Sequence, residues 1–357
     1  GILFWRSFTH WVGGMGVLVF VLAIVPLAGD RSMHLMRAEV PGPTVGKLVP
    51  RIRSTAMILY GIYIVMTVIE FVFLICGGMP VFDSLSTAFG TAGTGGFGIK
   101  SASIGYYNSV YIEVVVTVFM ILFGINFNLY YFLLIRDFRH ALRSEELRTY
   151  LGIIVVAILA ITVNIAPLYG GLAQGLRYAS FQVGSIITTT GFVTTDFDMW
   201  PEFSRIILLL LMMMGACAGS TAGGLKTSRI IIMFKAVRRE VRSLLHPRSV
   251  SVVKLEGKPL DATVVRGASV FLMVYIMIFG LSTLLVALDN FDFTTTFSAV
   301  CTCLNNVGPG LSIVGPAGNF AGFTVGSKLV LSANMLFGRL EIFPMLLLFA
   351  PSLWRKK

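Results

Sequence analysis

The sequence predicts an all-α polytopic membrane protein made of repeated units: a spanning helix, a half-length helix with a glycine-bearing loop, and a second spanning helix. Three observations predict it. The chain of 357 residues is 56% hydrophobic and 13% charged, with mean hydropathy +0.84, too apolar for a soluble globule of this length. Several apolar runs exceed the ~18 residues that mark a spanning helix. Three stretches also look like weak copies of one another: Thr91-Ala92-Gly93-Thr94-Gly95-Gly96-Phe97, Thr188-Thr189-Thr190-Gly191-Phe192 and Asn305-Asn306-Val307-Gly308-Pro309-Gly310. Each lies between two long apolar runs. A β-barrel is excluded, because the apolar runs are continuous and do not alternate with polar residues.

The elements follow in chain order. A first span is expected over 8–28. It begins almost at residue 1, which is Gly and not Met, with no charged segment ahead of it; the chain is therefore expected to begin inside a longer protein and not at a signal peptide. In the next unit 54–77 rises, Pro80 to about Gly90 forms a short helix, 91–98 is the loop and 109–135 returns. In the following one 149–169 rises, 174–187 is the short helix, 188–193 the loop, and 204–242 returns with an interruption. In the last, 264–288 rises, 292–304 is the short helix, 305–312 the loop and 325–350 returns. The expected division is 1–53, 54–148, 149–262 and 263–357. A helix of ~12 residues covers about 18 Å and cannot cross a ~30 Å hydrocarbon core. It can descend halfway, and irregular backbone at that depth is tolerated only where it lines a watery path or is buried in protein.

The net charge of +11 is not spread evenly: basic residues cluster in alternate loops, and the loops carrying the glycine motifs hold few, Lys100, Arg177 and Lys328. Arg31, Arg37, Lys47, Arg51 and Arg53 share one basic loop. Arg136, Arg139, Arg143 and Arg148 share the next, and Lys235, Arg238, Arg239, Arg242, Arg248, Lys254 and Lys258 a third, with Arg355, Lys356 and Lys357 at the end. By the positive-inside rule these loops are cytoplasmic and the glycine loops enter from outside. The basic charge is thus explained without nucleic acid; anionic lipid and an acidic cytosolic partner are its expected counterparts. The four cysteines and four histidines form no ligand or catalytic cluster; Cys301-Thr302-Cys303 lacks a second ligand pair. No enzyme is expected.

The chemistry expected of the loops is ion coordination. A short helix aims its carbonyl end, which carries partial negative charge, at the membrane centre. A dehydrated alkali cation needs a ring of oxygens, which backbone carbonyls supply, and glycine tolerates the φ/ψ values that turn successive carbonyls to one side. The expected filter is Ala92, Gly93, Thr94 and Gly95; Thr188, Thr189, Thr190 and Gly191; and Asn305, Asn306, Val307 and Gly308. K⁺, the transported ion and no covalent cofactor, is expected at Thr94, Gly95, Thr189, Thr190, Asn306 and Val307. Gly95, Gly191 and Gly308 are read as equivalent. Below the filter, the segment 215–224 interrupts a span near mid-bilayer with Gly215, Gly219, Gly223 and Gly224 around Ser220 and Thr221. It reads either as close helix packing through small residues or as a flexible loop across the pore, with Lys226 and Arg229 at its cytoplasmic edge. Arg339 lies near the middle of the last span, where arginine is costly. Either it pairs with another helix, or it faces the pore as an electrostatic barrier. Glu341, two residues on, points elsewhere on a helix. Glu70, Asn126, Asn128, Asn164 and Asn334 are expected to bond between helices.

Five segments carry a family resemblance: Trp11-Val12-Gly13-Gly14-Met15-Gly16, Arg37-Ala38-Glu39-Val40-Pro41-Gly42-Pro43, the stretch 215–226, the stretch 304–311, and Ala333-Asn334-Met335-Leu336-Phe337-Gly338-Arg339-Leu340-Glu341. In order along nearly the whole chain, they resemble the TrkH/KtrB superfamily of potassium-translocating subunits, and its Trk type more closely. The resemblance implies four fused helix–pore-loop–helix units with pseudo-fourfold symmetry, of which this sequence shows three complete units plus the last helix of the first. It implies K⁺ selectivity, a homodimer in a bacterial inner membrane and a cytosolic TrkA-like ring of nucleotide-binding subunits. By motif match, Gly95, Gly191 and Gly308 take the filter-glycine role, 215–224 that of an intramembrane gating loop, and Arg339 that of the pore arginine. A fourth Thr/Gly loop is then expected shortly before Ile2. The rival is an H⁺- or Na⁺-coupled symporter with broken helices; such folds usually carry inverted repeats, whereas these start and end on the same side.

Overall fold

The computed structural model describes residues 1–16, 52–246, 252–340 and 342–347. The later part of the expected 8–28 span, Arg31, Arg37, Lys47, Arg51, Arg248, Glu341 and the basic end Arg355, Lys356 and Lys357 lie outside the described residues.

Helix α1 is Ile2–Gly14. The second unit opens with α2, Ile52–Cys76, whose 25 residues give roughly 37 Å of rise, enough to cross the core. Its inner stripe, Tyr63, Thr67, Glu70 and Leu74, recurs every three to four residues, while Val65, Val68, Ile69 and Val72 stay exposed, as a lipid-facing helix requires. The half-length helix α3, Val81–Ala92, starts directly after Pro80, whose fixed φ suits a helix start. The return is α4, Val110–Phe123, capped by Ser109. It is followed by α5, Phe127–Leu134, and a six-residue α6, Phe138–Arg143. The third unit is α7, Glu145–Ile165, half-length α8, Leu172–Ile187, and the return pair α9, Glu202–Met214, and α10, Thr227–Leu245. A two-stranded hairpin, β1 Lys254–Leu255 and β2 Lys258–Pro259, leads to the fourth unit. That unit is α11, Ala262–Val286, half-length α12, Phe293–Asn305, α13, Val325–Arg339, and α14, Ile342–Leu347. Asp292 caps α12 by accepting the Thr295 amide at 3.0 Å and hydroxyl at 2.5 Å. The Thr295 hydroxyl, together with that amide, holds the Asp292 carboxyl below the usual carboxylate range.

The three half-length helices occupy equivalent places. α3 packs against α1, α2 and α4; α8 against α4, α7 and α9; α12 against α9, α11 and α13. Each therefore touches both long helices of its own unit and the return helix of the unit before it, with α1 standing as the preceding return helix for α3. A repeat that closes around an axis packs in this way.

Two expected spans are broken. The run 109–135 is not one helix: α4 and α5 meet at 93°. The break at 124–126 exposes backbone groups that a straight helix would satisfy internally. The segment after α9 takes them up, with the Cys217 amide donating to the Gly124 carbonyl at 3.1 Å and the Phe127 amide to the Gly219 carbonyl at 3.0 Å. Asn126 caps α5 by accepting the Asn128 amide at 3.0 Å. The run 325–350 likewise stops at Arg339 and resumes at Ile342. Of the polar residues expected to join helices, Asn164 accepts Ser204 Oγ at 2.7 Å and Asn334 accepts Ser282 Oγ at 2.8 Å. Asn126 instead serves its own helix, and the bond to Asn128 involves that residue's backbone. Glu70 is fully buried beside the half-length helix α3, and among the described residues neither carboxyl oxygen meets a donor at hydrogen-bond geometry. The nearby Thr91 hydroxyl is committed to the Thr87 carbonyl at 2.9 Å.

One ion pair clamps successive units. Arg177 on α8 grips Glu113 on α4 with two bonds of 2.6 Å, and Glu113 is buried. Breaking a buried pair from one side leaves an unpaired charge, whereas apolar replacement of both can be neutral. Arg177→Met should therefore lower stability in detergent by about 3 kcal/mol, and the double variant E113L/R177M should regain most of it. A double variant as unstable as the single one would show that the pair does more than satisfy a buried carboxylate.

Candidate functional site

The chain leaves each half-length helix by the same route. The amides of Thr94, Thr189 and Asn306 reach the carbonyls of Thr91, Ile186 and Cys303 at 3.0, 3.0 and 3.3 Å. Those of Gly95, Thr190 and Val307 reach Gly90, Ser185 and Thr302 at 2.7, 2.9 and 3.0 Å. Thr94, Thr189 and Asn306 then share φ values of 54, 55 and 56°, and Gly96, Gly191 and Gly308 follow two residues later at 58, 83 and 113°. This register corrects the sequence alignment. Gly96, not Gly95, matches Gly191 and Gly308, while Gly95 stands with Thr190 and Val307. Aligning Gly96-Phe97 on Gly191-Phe192 finds this; aligning on the first glycine after a threonine does not.

The glycine is needed for contact as well as for φ. A Cβ on Gly96 would fall on the Thr190 carbonyl, and one on Gly191 on the Val307 carbonyl. The second, third and fourth tips therefore meet backbone to backbone in sequence. Outside the tips, the Gly105 amide donates to Val193 and the Val193 amide to Ser103 Oγ, at 3.2 and 3.3 Å. Asp198 accepts the Ser312 amide at 2.9 Å and Arg205 Nη1 at 3.4 Å.

A β-branched residue at positive φ is strained by about 1–3 kcal/mol; asparagine tolerates it better. The two threonines find their compensation in the segment 215–226. It is non-helical and mostly buried, so it is a loop inside the fold and not a close-packed helix. Thr94 Oγ1 lies 2.9 Å from the Thr221 carbonyl and 2.7 Å from its neighbour Gly93's. Thr189 Oγ1 accepts the Gly223 amide at 2.6 Å. Arg339 completes the contact: Nη1 donates to the Thr221 carbonyl at 2.8 Å, and Nη2 to the carbonyls of Gly13 and Gly14 at 2.7 and 3.1 Å. Its cation thus sits on the carbonyl end of α1, where the helix dipole favours it.

The expected filter residues do not all face one space. Thr94, Thr189 and Asn306 line a cavity of about 450 Å³ with Gly223, Arg339 and the α1 residue His10. Thr188 and Thr190 hydroxyls bond each other at 2.8 Å in the interior. Asn305 donates to Tyr275 Oη at 2.9 Å and the Cys301 carbonyl at 2.8 Å. A Cβ on Gly93 would come within 2.9 Å of the His10 carbonyl, and one on Gly95 would meet the His10 ring. The side chains of Thr188, Thr190 and Asn305 are thus engaged within the protein. In the loop, Ser220 Oγ donates to the Cys217 carbonyl at 2.6 Å, and Gly215, Gly219 and Gly224 adopt positive φ. Lys226 corrects the sequence reading: it is 2% exposed, with Nζ on the Ala222 carbonyl, inside the fold and not at a cytoplasmic edge. The positive φ at Lys226, 76°, turns the chain back into α10 and carries the side chain inward.

One anchor escaped the sequence reading. Glu146, buried in the first turn of α7, accepts the Ala218 amide at 2.7 Å and the Ser228 amide at 3.1 Å through one oxygen. It fixes both ends of the loop. The Ser144-Glu145-Glu146 helix start was visible, but a carboxylate there reads as an ordinary solvated first-turn acid.

The family model described as TrkH, cation transport protein, matches residues 1–356. The "Trk system potassium uptake protein TrkH" of Salmonella typhimurium is 39% identical over 359 residues, covering 99% of this chain and 74% of that protein. The "Trk system potassium uptake protein TrkG" of Escherichia coli K12 is 33% identical over 99% of this chain and 73% of its own length. The crystal structure of the potassium transporter TrkH from Vibrio parahaemolyticus superposes with a TM-score of 0.85 at 36% identity, covering 99% of this chain and 73% of that one. These matches span almost every residue in order, and they make the chain a non-enzymatic integral membrane protein of the TrkH family of cation transport proteins.

Proposed function

We propose that this chain serves potassium uptake across a bacterial inner membrane, the ion passing a filter of main-chain carbonyls gated by the 215–224 loop and Arg339. The observation that carries it is the shared backbone conformation of Thr94, Thr189 and Asn306 around one cavity, with the loop and the guanidinium directly against them. The carbonyls of Thr94, Thr189 and Asn306, and of Gly95, Thr190 and Val307, are the K⁺ ligands in this reading, replacing the ion's hydration shell. The negative ends of α3, α8 and α12 favour a cation there. The arrangement fits a closed gate, because the loop is tied to two tips and Arg339 adds positive charge beside the path. The homodimer and the nucleotide-binding cytosolic ring implied by the family resemblance belong to the same proposal.

Selectivity tests the filter. Gly191→Ser and Gly96→Ser should each relax discrimination of K⁺ over Na⁺ in uptake measurements on the full transporter, since both place a Cβ on a neighbouring tip's carbonyl. Gly95→Ser, which meets the His10 ring instead, should alter selectivity less. Unchanged discrimination in the first two variants would remove these glycines from the filter.

Flux tests the gate. Two unit charges 4 Å apart repel by roughly 4 kcal/mol at an effective dielectric near 20. Relief of about 1.4 kcal/mol of barrier raises a rate tenfold. Arg339→Ala should raise flux by about tenfold, and Arg339→Lys should hold it near the parent's. Unchanged or reduced flux in correctly folded R339A would make the residue a structural clamp.

A further inference from the structure

A cleft of about 920 Å³ on the cytoplasmic side shares no lining residue with the ion cavity. Its charged lining is Arg139 and Arg143 of α6, Arg148 and Glu145 of α7, Asp137, and Glu256 in the turn of the β1–β2 hairpin. The acids are engaged: Glu145 pairs with Lys235, Glu256 accepts Ser144 Oγ at 2.9 Å, and Asp137 has a partner of its own. The arginines are not. All three are exposed, and among the described residues no side-chain hydrogen bond or ion pair reaches the guanidinium of Arg139, Arg143 or Arg148, while the Arg148 backbone amide donates to the Ser144 carbonyl at 3.2 Å. Topology alone accounts for basic residues in this loop. It does not account for three unpaired guanidiniums around one cleft beside neutralised acids. Their planar forks match the oxygens of a phosphate.

The second feature is apolar. On the same short helix Phe138 and Leu142, 55% and 67% exposed, repeat at four residues beside Arg139 and Arg143, the pattern of a helix lying in a membrane interface. A groove of about 670 Å³ between α2, α4 and α5, lined by Ile62, Val65, Met66, Phe119, Leu133 and Leu134, ends three residues before Asp137. Phosphate and hydrocarbon in one ligand describe a phospholipid.

We propose that an anionic phospholipid binds here, its phosphate among Arg139, Arg143 and Arg148 and an acyl chain in the groove, and that its occupancy reaches the 215–224 loop through Glu146. The route is short. Arg143 ends α6, Ser144 caps α7, and Glu146 in the next turn holds the Ala218 and Ser228 amides. Only this transmission rests on the gating reading; the site itself does not.

Native mass spectrometry of the detergent-purified chain tests the site. Phosphatidylglycerol should be retained in preference to phosphatidylcholine. R143Q/R148Q should lose that retention by roughly fivefold per guanidinium removed, and inorganic phosphate or ATP should not displace the lipid. Equal retention of the two lipids, an unaffected variant, or displacement by phosphate or ATP would overturn the proposal. So would a variant that keeps its lipid and loses only an acidic cytosolic protein. Hydrogen exchange of residues 215–226 in phosphatidylcholine vesicles with and without phosphatidylglycerol tests the transmission. Exchange should change with phosphatidylglycerol in the parent and in E146Q, and not in E146A. A parent loop indifferent to the lipid overturns the coupling while leaving the filter glycines to be judged by ion selectivity.

Discussion

Two threonines held at positive φ set the terms for the rest of the molecule. Thr94 and Thr189 adopt a backbone conformation that their branched side chains oppose, and each is steadied by one loop beneath, through Thr221 and Gly223. The tips therefore keep this backbone shape while the loop stays docked. In the proposed reading these contacts join filter and gate: whatever moves the loop also changes what holds the tips.

The loop is costly to bury and is satisfied from several directions. Gly124 and Phe127 take its backbone where α4 breaks from α5, Glu146 takes two amides from the cytoplasmic side, and Arg339 takes the Thr221 carbonyl. Few partners would suffice for a surface turn; a buried non-helical segment needs nearly every polar group paired. That requirement explains the 93° bend better than any local weakness in the 109–135 sequence. The bend exists because the neighbouring loop needs its carbonyl and amide.

Much of this was legible in the sequence. Length limits identified the half-helices, since runs such as 174–187 cannot span, and the structure places helices over Val81–Ala92, Leu172–Ile187 and Phe293–Asn305. The glycine density of 215–224 located the break between α9 and α10. What stayed hidden depends on long-range partners. The run through Gly124 and Asn126 is apolar enough to read as one span, because the break is stabilised by residues some ninety positions away. Lys226 reads as interfacial until its φ is known. Gly95 and Gly96 are adjacent, and only the hydrogen-bond register separates them. Glu146 has no sequence signal beyond a helix start.

The central claim is that main-chain oxygens at these tips hold the ion, and anomalous scattering from crystals of the full transporter soaked in rubidium or thallium measures it most directly. The account predicts density on the axis between the tips, bounded by the carbonyls of Thr94, Thr189 and Asn306 and of Gly95, Thr190 and Val307. Density that falls instead on side chains away from the tips, with that axis empty at saturating ion, would contradict it.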